Sequence, residues 1–155
     1  LGALDAACSY AEPLGVAVAL EACWGTLAYD QSTLARVLDA VPCMLLLDPS
    51  HFVMEGNDSP AIVREWGERL AHVHLKDAFG KAGYDGEDFV FCMLGEGKVP
   101  WPELFVALDE VGYSGPLSVE FEAYGYLEQV LHGDPVRAAA LALEQVRALV
   151  PAEQS

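Results

Sequence analysis

Carboxylates and imidazoles recur in this chain at the polar ends of short apolar runs. GVAVALE ends in Glu21, and CMLLLD ends in Asp48, followed by Pro49, Ser50 and His51. AHVHLK carries His72, His74 and Lys76, with Asp77 next, and PLSVEFE carries Glu120 and Glu122. Three carboxylates with one imidazole form a donor set for a hard or borderline divalent cation. Mn2+ and Mg2+ suit it best, and Zn2+ and Co2+ also fit. Such groups gathered in apolar surroundings are costly unless a cation compensates them. One Glu at a strand end is ordinarily just solvated, but four successive runs ending in this way read together as a site.

The elements that must position these groups follow from the same runs. Residues 15–21, 43–48, 71–76 and 116–121 have strand length and little charge before their C-terminal ends, the pattern of strands covered on both faces. Helical stretches alternate with them. A first helix precedes Pro13, so that residues 1–14 lead into the first strand. Others are expected at 32–40, from Ser59-Pro60 to Leu70, from Trp101 to Val111 with Gly112 as the residue that ends it, and from Asp134-Pro135 to about Val150. Strands alternating with helices imply a parallel sheet, whose active site lies at the C-terminal strand ends. Period two places His72, His74 and Lys76 on one face and Val73 and Leu75 on the other. It likewise sets Ser118, Glu120 and Glu122 against Leu117, Val119 and Phe121. The segment from Ala78 to Pro100 is a long glycine-rich insertion after a strand, which reads either as an active-site loop or as a variable surface loop.

Composition excludes several classes of partner. The chain has 155 residues, is 53% hydrophobic and carries a formal net charge of −16. That acidity argues against nucleic acid and against an anionic membrane surface. Cys8, Cys23, Cys43 and Cys92 are widely spaced inside apolar stretches, which predicts buried free thiols. Nothing reads as a transmembrane helix or a basic leader, so a cytoplasmic location is expected. The first residue is Leu1, not Met, which suggests a fragment or a processed chain.

The motifs A-L-E (19–21), L-D-P-S-H (47–51), H-V-H-L-K-D (72–77), L-G-E-G-K-V-P-W (94–101) and G-Y-S-G-P-L-S-V-E-F-E (112–122) resemble the xylose isomerase-like TIM-barrel superfamily. Within it they are most similar to the sugar phosphate isomerase/epimerase branch, with ketose 3-epimerases and inosose dehydratase as relatives. The resemblance runs from about Ala11 onward. It implies an α/β fold, the C-terminal half of a (β/α)8 barrel, with strands five to eight present as four parallel strands alternating with helices over residues 1–155. The missing N-terminal half barrel, or another copy of the chain, would be the partner.

By motif position the resemblance implies that Glu21, Asp48, His74 and Glu120 hold one divalent metal. Glu21 and Glu120 would double as the acid/base pair, and His51 and Lys76 would bind a small sugar or polyol substrate. The reaction expected is isomerisation or epimerisation by proton transfer next to a carbonyl. The alternatives are an inosose dehydratase-like lyase on a cyclic polyol and a truncated, non-catalytic piece. An endonuclease IV-like activity is disfavoured by four histidines and the acidic charge. Family members often carry His two residues after the first Glu, where this chain has Cys23. The Arg that ketose 3-epimerases use after the strand-seven His has no counterpart near His74. Lys76 has a second reading, an ion pair with Asp77 or with a strand-end carboxylate.

Overall fold

The computed structural model describes residues 1–150. The strands of the main sheet follow apolar runs, and four of the helices start at an aspartate that caps them. Helix α1 (Gly2–Ala11) runs through a 3-10 turn (Glu12–Leu14) to Gly15, whose φ of 68° reverses the chain. Strand β1 is Ala19–Glu21. Helix α2 (Gln31–Ala40) opens with a capping box, Asp30 Oδ1 accepting from the Thr33 amide at 2.8 Å and Thr33 Oγ1 accepting from the Asp30 amide at 3.1 Å. Strand β2 (Met44–Leu47) leads directly into helix α3 (Pro49–Met54), capped by Asp48, and helix α4 (Ser59–Trp66) is capped by Asp58. Strand β3 is Leu70–Leu75.

The insertion then contributes an antiparallel hairpin, β4 (Asp77–Gly80) with β5 (Phe89–Cys92). Helix α5 (Trp101–Glu110), strand β6 (Leu117–Val119), the short helix α6 (Tyr124–Gln129) and helix α7 (Pro135–Leu149) complete the order.

The main sheet is parallel throughout, in the order β1-β2-β3-β6. Its alternation agrees with the period-two expectation. Leu45, Leu47, Val73 and Leu75 are buried under Leu34, Val37, Leu38, Ile62, Val63, Leu104 and Leu108 from the helices. Met44, Leu46, His72, His74 and Ser118 face the other way and are half-buried. The register between β2 and β3 slips at Leu45/Leu46, so that Leu46 stands beside His72. Arg69 ties the layers together by donating to the backbone carbonyls of Val41 and Cys43 at the start of β2.

Three differences from the sequence-based expectation have local causes. Strands β1 and β6 are three residues long rather than seven and six, because they are the two edges and pair on one side only. The 59–70 helix ends at Trp66 in a 3-10 turn before Leu70 joins the sheet. The insertion is a hairpin rather than a loop, with Met54, Ala78 and Phe89 forming a small core of their own. All four cysteines are free, as expected, but only Cys8 and Cys43 are buried. No described helix is long and apolar enough to cross a membrane.

Candidate metal centre

Four strand ends deliver four donors. Glu21 is the last residue of β1, Asp48 follows β2, His74 is the penultimate residue of β3 and Glu120 follows β6. Their ligand atoms lie within 4.8 Å of one another. His74 sits between the two glutamates, its Nδ1 3.1 Å from Glu21 Oε1 and 3.4 Å from Glu120 Oε2. Behind it His72 makes an edge contact with the His74 ring at 5.4 Å and is itself held by Ser118 Oγ at 2.8 Å.

Asp48 does two tasks with its two oxygens. Oδ1 caps α3, accepting from the Ser50 amide at 2.9 Å and the Ser50 hydroxyl at 2.6 Å. Oδ2 is fully buried and receives no hydrogen bond. Lys76 Nζ pairs with it at 2.8 Å. A buried carboxylate oxygen in that state, with a Glu–His–Glu set beside it, suits a cation.

Lys76 is only 4% exposed. Its ammonium donates to Glu120 Oε2 at 2.7 Å and Glu122 Oε2 at 2.9 Å and lies 4.6 Å above the Phe91 ring. Burial works against the charge. The proximity of Asp48 and the contacts with Asp48, Glu120 and Glu122 outweigh it, and the lysine stays protonated well above its ordinary range. These ion pairs are with strand-end carboxylates and not with Asp77.

His51 lies one helical turn beyond Asp48, with Nε2 3.5 Å from Asp48 Oδ2, 3.5 Å from Lys76 Nζ and 3.3 Å from Cys23 Sγ. Its buried Nδ1 has no partner. Burial pulls its pKa below 6.5 against the attraction of Asp48, so the ring is neutral at pH 7. Burial and the neighbouring Asp48 raise the pKa of Glu21. Burial, with Glu21 nearby, likewise raises that of the Cys23 thiol.

All six expected site residues therefore converge. The sequence reading missed Glu122 as a second acceptor for Lys76, and it missed Phe91, which the hairpin carries to within 5.9 Å of the His51 ring. Glu122 had a signal, since it shares the period-two face of Glu120. Phe91 had none, because its place depends on how the insertion folds back. Asp77, adjacent to Lys76, points away from the centre. Its buried carboxylate accepts five N–H bonds, from Ala78, Gly95, Gly97, Val99 and the Trp101 indole, at 2.9 to 3.1 Å.

A parallel sheet with a polar constellation across the C-terminal ends of its strands is the arrangement in which parallel α/β proteins, (β/α) barrels among them, place their sites. The family model of the xylose isomerase-like TIM barrel matches residues 2–149, and the chain belongs to that family. It is 28% identical to fructoselysine 3-epimerase of Escherichia coli O157:H7, over 97% of this chain and 53% of that protein. It is 29% identical to an inosose dehydratase of Clostridium perfringens (strain 13 / Type A), over 63% of this chain and 38% of that one. Among solved structures it superposes on the IOLI protein with a binding zinc atom, with a TM-score of 0.72 and 24% identity, covering 92% of this chain and 51% of that one. The D-allulose 3-epimerase of Methylomonas sp. gives a TM-score of 0.68 at 24% identity, covering 96% and 54%. At these identities the structural likeness is one of fold. The chain spans about half the length of the relatives it matches, and its four-stranded sheet is a partial barrel.

Proposed function

We propose that this chain supplies the metal-binding half, strands five to eight, of a sugar isomerase/epimerase that moves a proton next to a substrate carbonyl. The observation that carries this reading is the convergence of Glu21, Asp48, His74 and Glu120 from four successive parallel strand ends. A divalent ion held by these four, Mn2+ or Mg2+ by the hardness of the donors, would polarise the substrate carbonyl as a Lewis acid.

The chain's own residues do the rest. Glu21 and Glu120 stand on the two edge strands, on opposite sides of His74. One takes a proton from the carbon next to the carbonyl and the other returns one. His51, neutral and with Nε2 turned toward Asp48 and Lys76, is suited to hydrogen-bond a substrate hydroxyl, and Lys76 holds Glu120 and Asp48 in place. Family membership and the similarity to fructoselysine 3-epimerase support the reading.

The similarity to inosose dehydratases favours one other outcome of the same proton abstraction, loss of hydroxide from the adjacent carbon. The test is incubation with Mn2+ and candidate ketoses in D2O. Deuterium should enter next to the carbonyl in wild type and not in Glu120→Gln, whereas His51→Ala should keep the metal and lose substrate affinity. A dehydrated product would select the lyase. Normal exchange by Glu120→Gln would overturn the two-glutamate mechanism.

A further inference from the structure

One cavity is not used by the proposed centre. It has a volume of about 380 Å3 and lies between the β4–β5 hairpin and the segment from Glu122 to Tyr126. Its wall combines Phe91, Tyr124 and Tyr126 with Asp85, Glu96 and Glu122, and no Lys, Arg or His is among its lining residues. It begins one side chain from the centre, because Phe91 and Glu122 both touch the ammonium of Lys76, which touches Asp48 and Glu120. The cavity is therefore within reach of a molecule held at the centre.

The loops after the last two strands of a TIM barrel are a frequent phosphate site. Taking β3 and β6 as those strands, which rests on the proposed function, the same place is here walled by carboxylates. A phosphate would meet repulsion from Asp85 and Glu96, while the ammonium of Lys76 at the wall is already paired with Asp48, Glu120 and Glu122. An ammonium would meet the opposite, and the molecule already contains an example. Lys76 packs its own ammonium against this wall, over the Phe91 ring and on Glu122, from the side of the centre. Tyr124 and Tyr126 offer further rings, and the Tyr124 hydroxyl is anchored on Glu122 Oε1 at 3.2 Å.

We infer that this cavity receives the remote end of the substrate and that this end carries an ammonium, not a phosphate. The substrate class is then an amino-substituted sugar rather than a sugar phosphate.

The cavity is tested independently of turnover by titrating the chain with n-pentylammonium, n-pentanol and n-pentyl phosphate while following the tyrosine ring resonances. Pentylammonium should bind about tenfold more tightly than pentanol, from partly exposed charge and cation–π contacts, and the preference should fade as salt rises. Pentyl phosphate should bind most weakly. Asp85→Asn with Glu96→Gln should remove most of the ammonium preference, and an unchanged melting temperature shows that the variant is folded. Equal binding of the amine and the alcohol, preferred binding of the phosphate, or an ammonium preference unaltered in the double variant would overturn the assignment. In a second arm, 6-amino-6-deoxy-D-fructose is compared with D-fructose 6-phosphate for deuterium exchange. A lower KM for the phosphate also overturns it. Exchange with neither ketose, beside intact pentylammonium binding, counts against the epimerase reading and leaves the cavity's ligand class standing.

Discussion

Lys76 holds its ammonium against Asp48, Glu120 and Glu122 at 2.8, 2.7 and 2.9 Å, and two of these are proposed metal ligands. Ammonium and divalent ion thus answer the same excess of negative charge. Lys76→Met should cost the metal-free protein about 3 kcal/mol, the low end for breaking a buried pair, since Glu120 and Glu122 are partly solvated. Mn2+ should then raise the melting temperature of the variant more than that of wild type. Calorimetry with and without Mn2+ checks this, and equal gains would show that lysine and cation do not share the charge. His51 gives a pH dependence. Its folded pKa lies below 6.5, so it favours the folded state above pH 6.5 and that contribution is lost as pH falls through the folded value. Urea melts of the metal-free chain at pH 7.5 and 5.5 should show the loss, and His51→Gln should lessen it.

Asp77 organises the insertion at the scale of elements. Its two oxygens gather the amides at 78, 95, 97 and 99 and the Trp101 indole, which fastens the end of the insertion to the start of β4 and to α5. A side chain on Gly97 would collide with this carboxylate, which is why the backbone there must be glycine. Lys98 adds a backbone bond to Ala78 at 2.9 Å and a side-chain bond to Gly80 at 2.6 Å. The hairpin is thereby held as a wall that keeps Phe91 over Lys76. Asp77→Asn turns an amide group toward N–H donors and should cost roughly 3 kcal/mol. Amide exchange at Gly95, Gly97 and Val99 should rise well above that of β3. Uniform loss of protection across the sheet would instead mean that Asp77 supports the whole fold and not the insertion. Helix α3 was legible in principle, because Asp48-Pro49 has the same cap-and-proline form as Asp134-Pro135. It is short, and its start coincides with a strand end already read as a site.

At the scale of the whole molecule, β1 and β6 each leave one edge without a strand partner among the described residues, and the face carrying Met44, Leu46 and Ser118 is only half covered. Leu117 and Val119 on β6 are 42% and 38% exposed. Beside them Val119, Phe121, Leu127, Pro135, Ala138 and Leu143 line an apolar groove of about 290 Å3. Unpaired edges next to apolar surface favour association. The 155-residue chain by itself should show a concentration-dependent mass above the monomer in light scattering. A monodisperse monomer that melts in one cooperative transition would show that the half barrel is self-sufficient.

The order of the four sheet strands and of the longer helices, and the inward face of each strand, follow from the amino-acid sequence, because apolar period and capping chemistry act over a few residues. Period two left His72 beside His74 and Glu120 beside Glu122 as candidate donors. The motif resemblance fitted the same positions. What the sequence could not decide was which donors meet. Glu21 reaches His74, two strands away, across the register slip at Leu45/Leu46. Glu122, Phe91 and the acidic cavity come together only when the insertion folds back on Asp77. These are contacts between residues far apart in the chain, set by packing and buried charge rather than by local propensity.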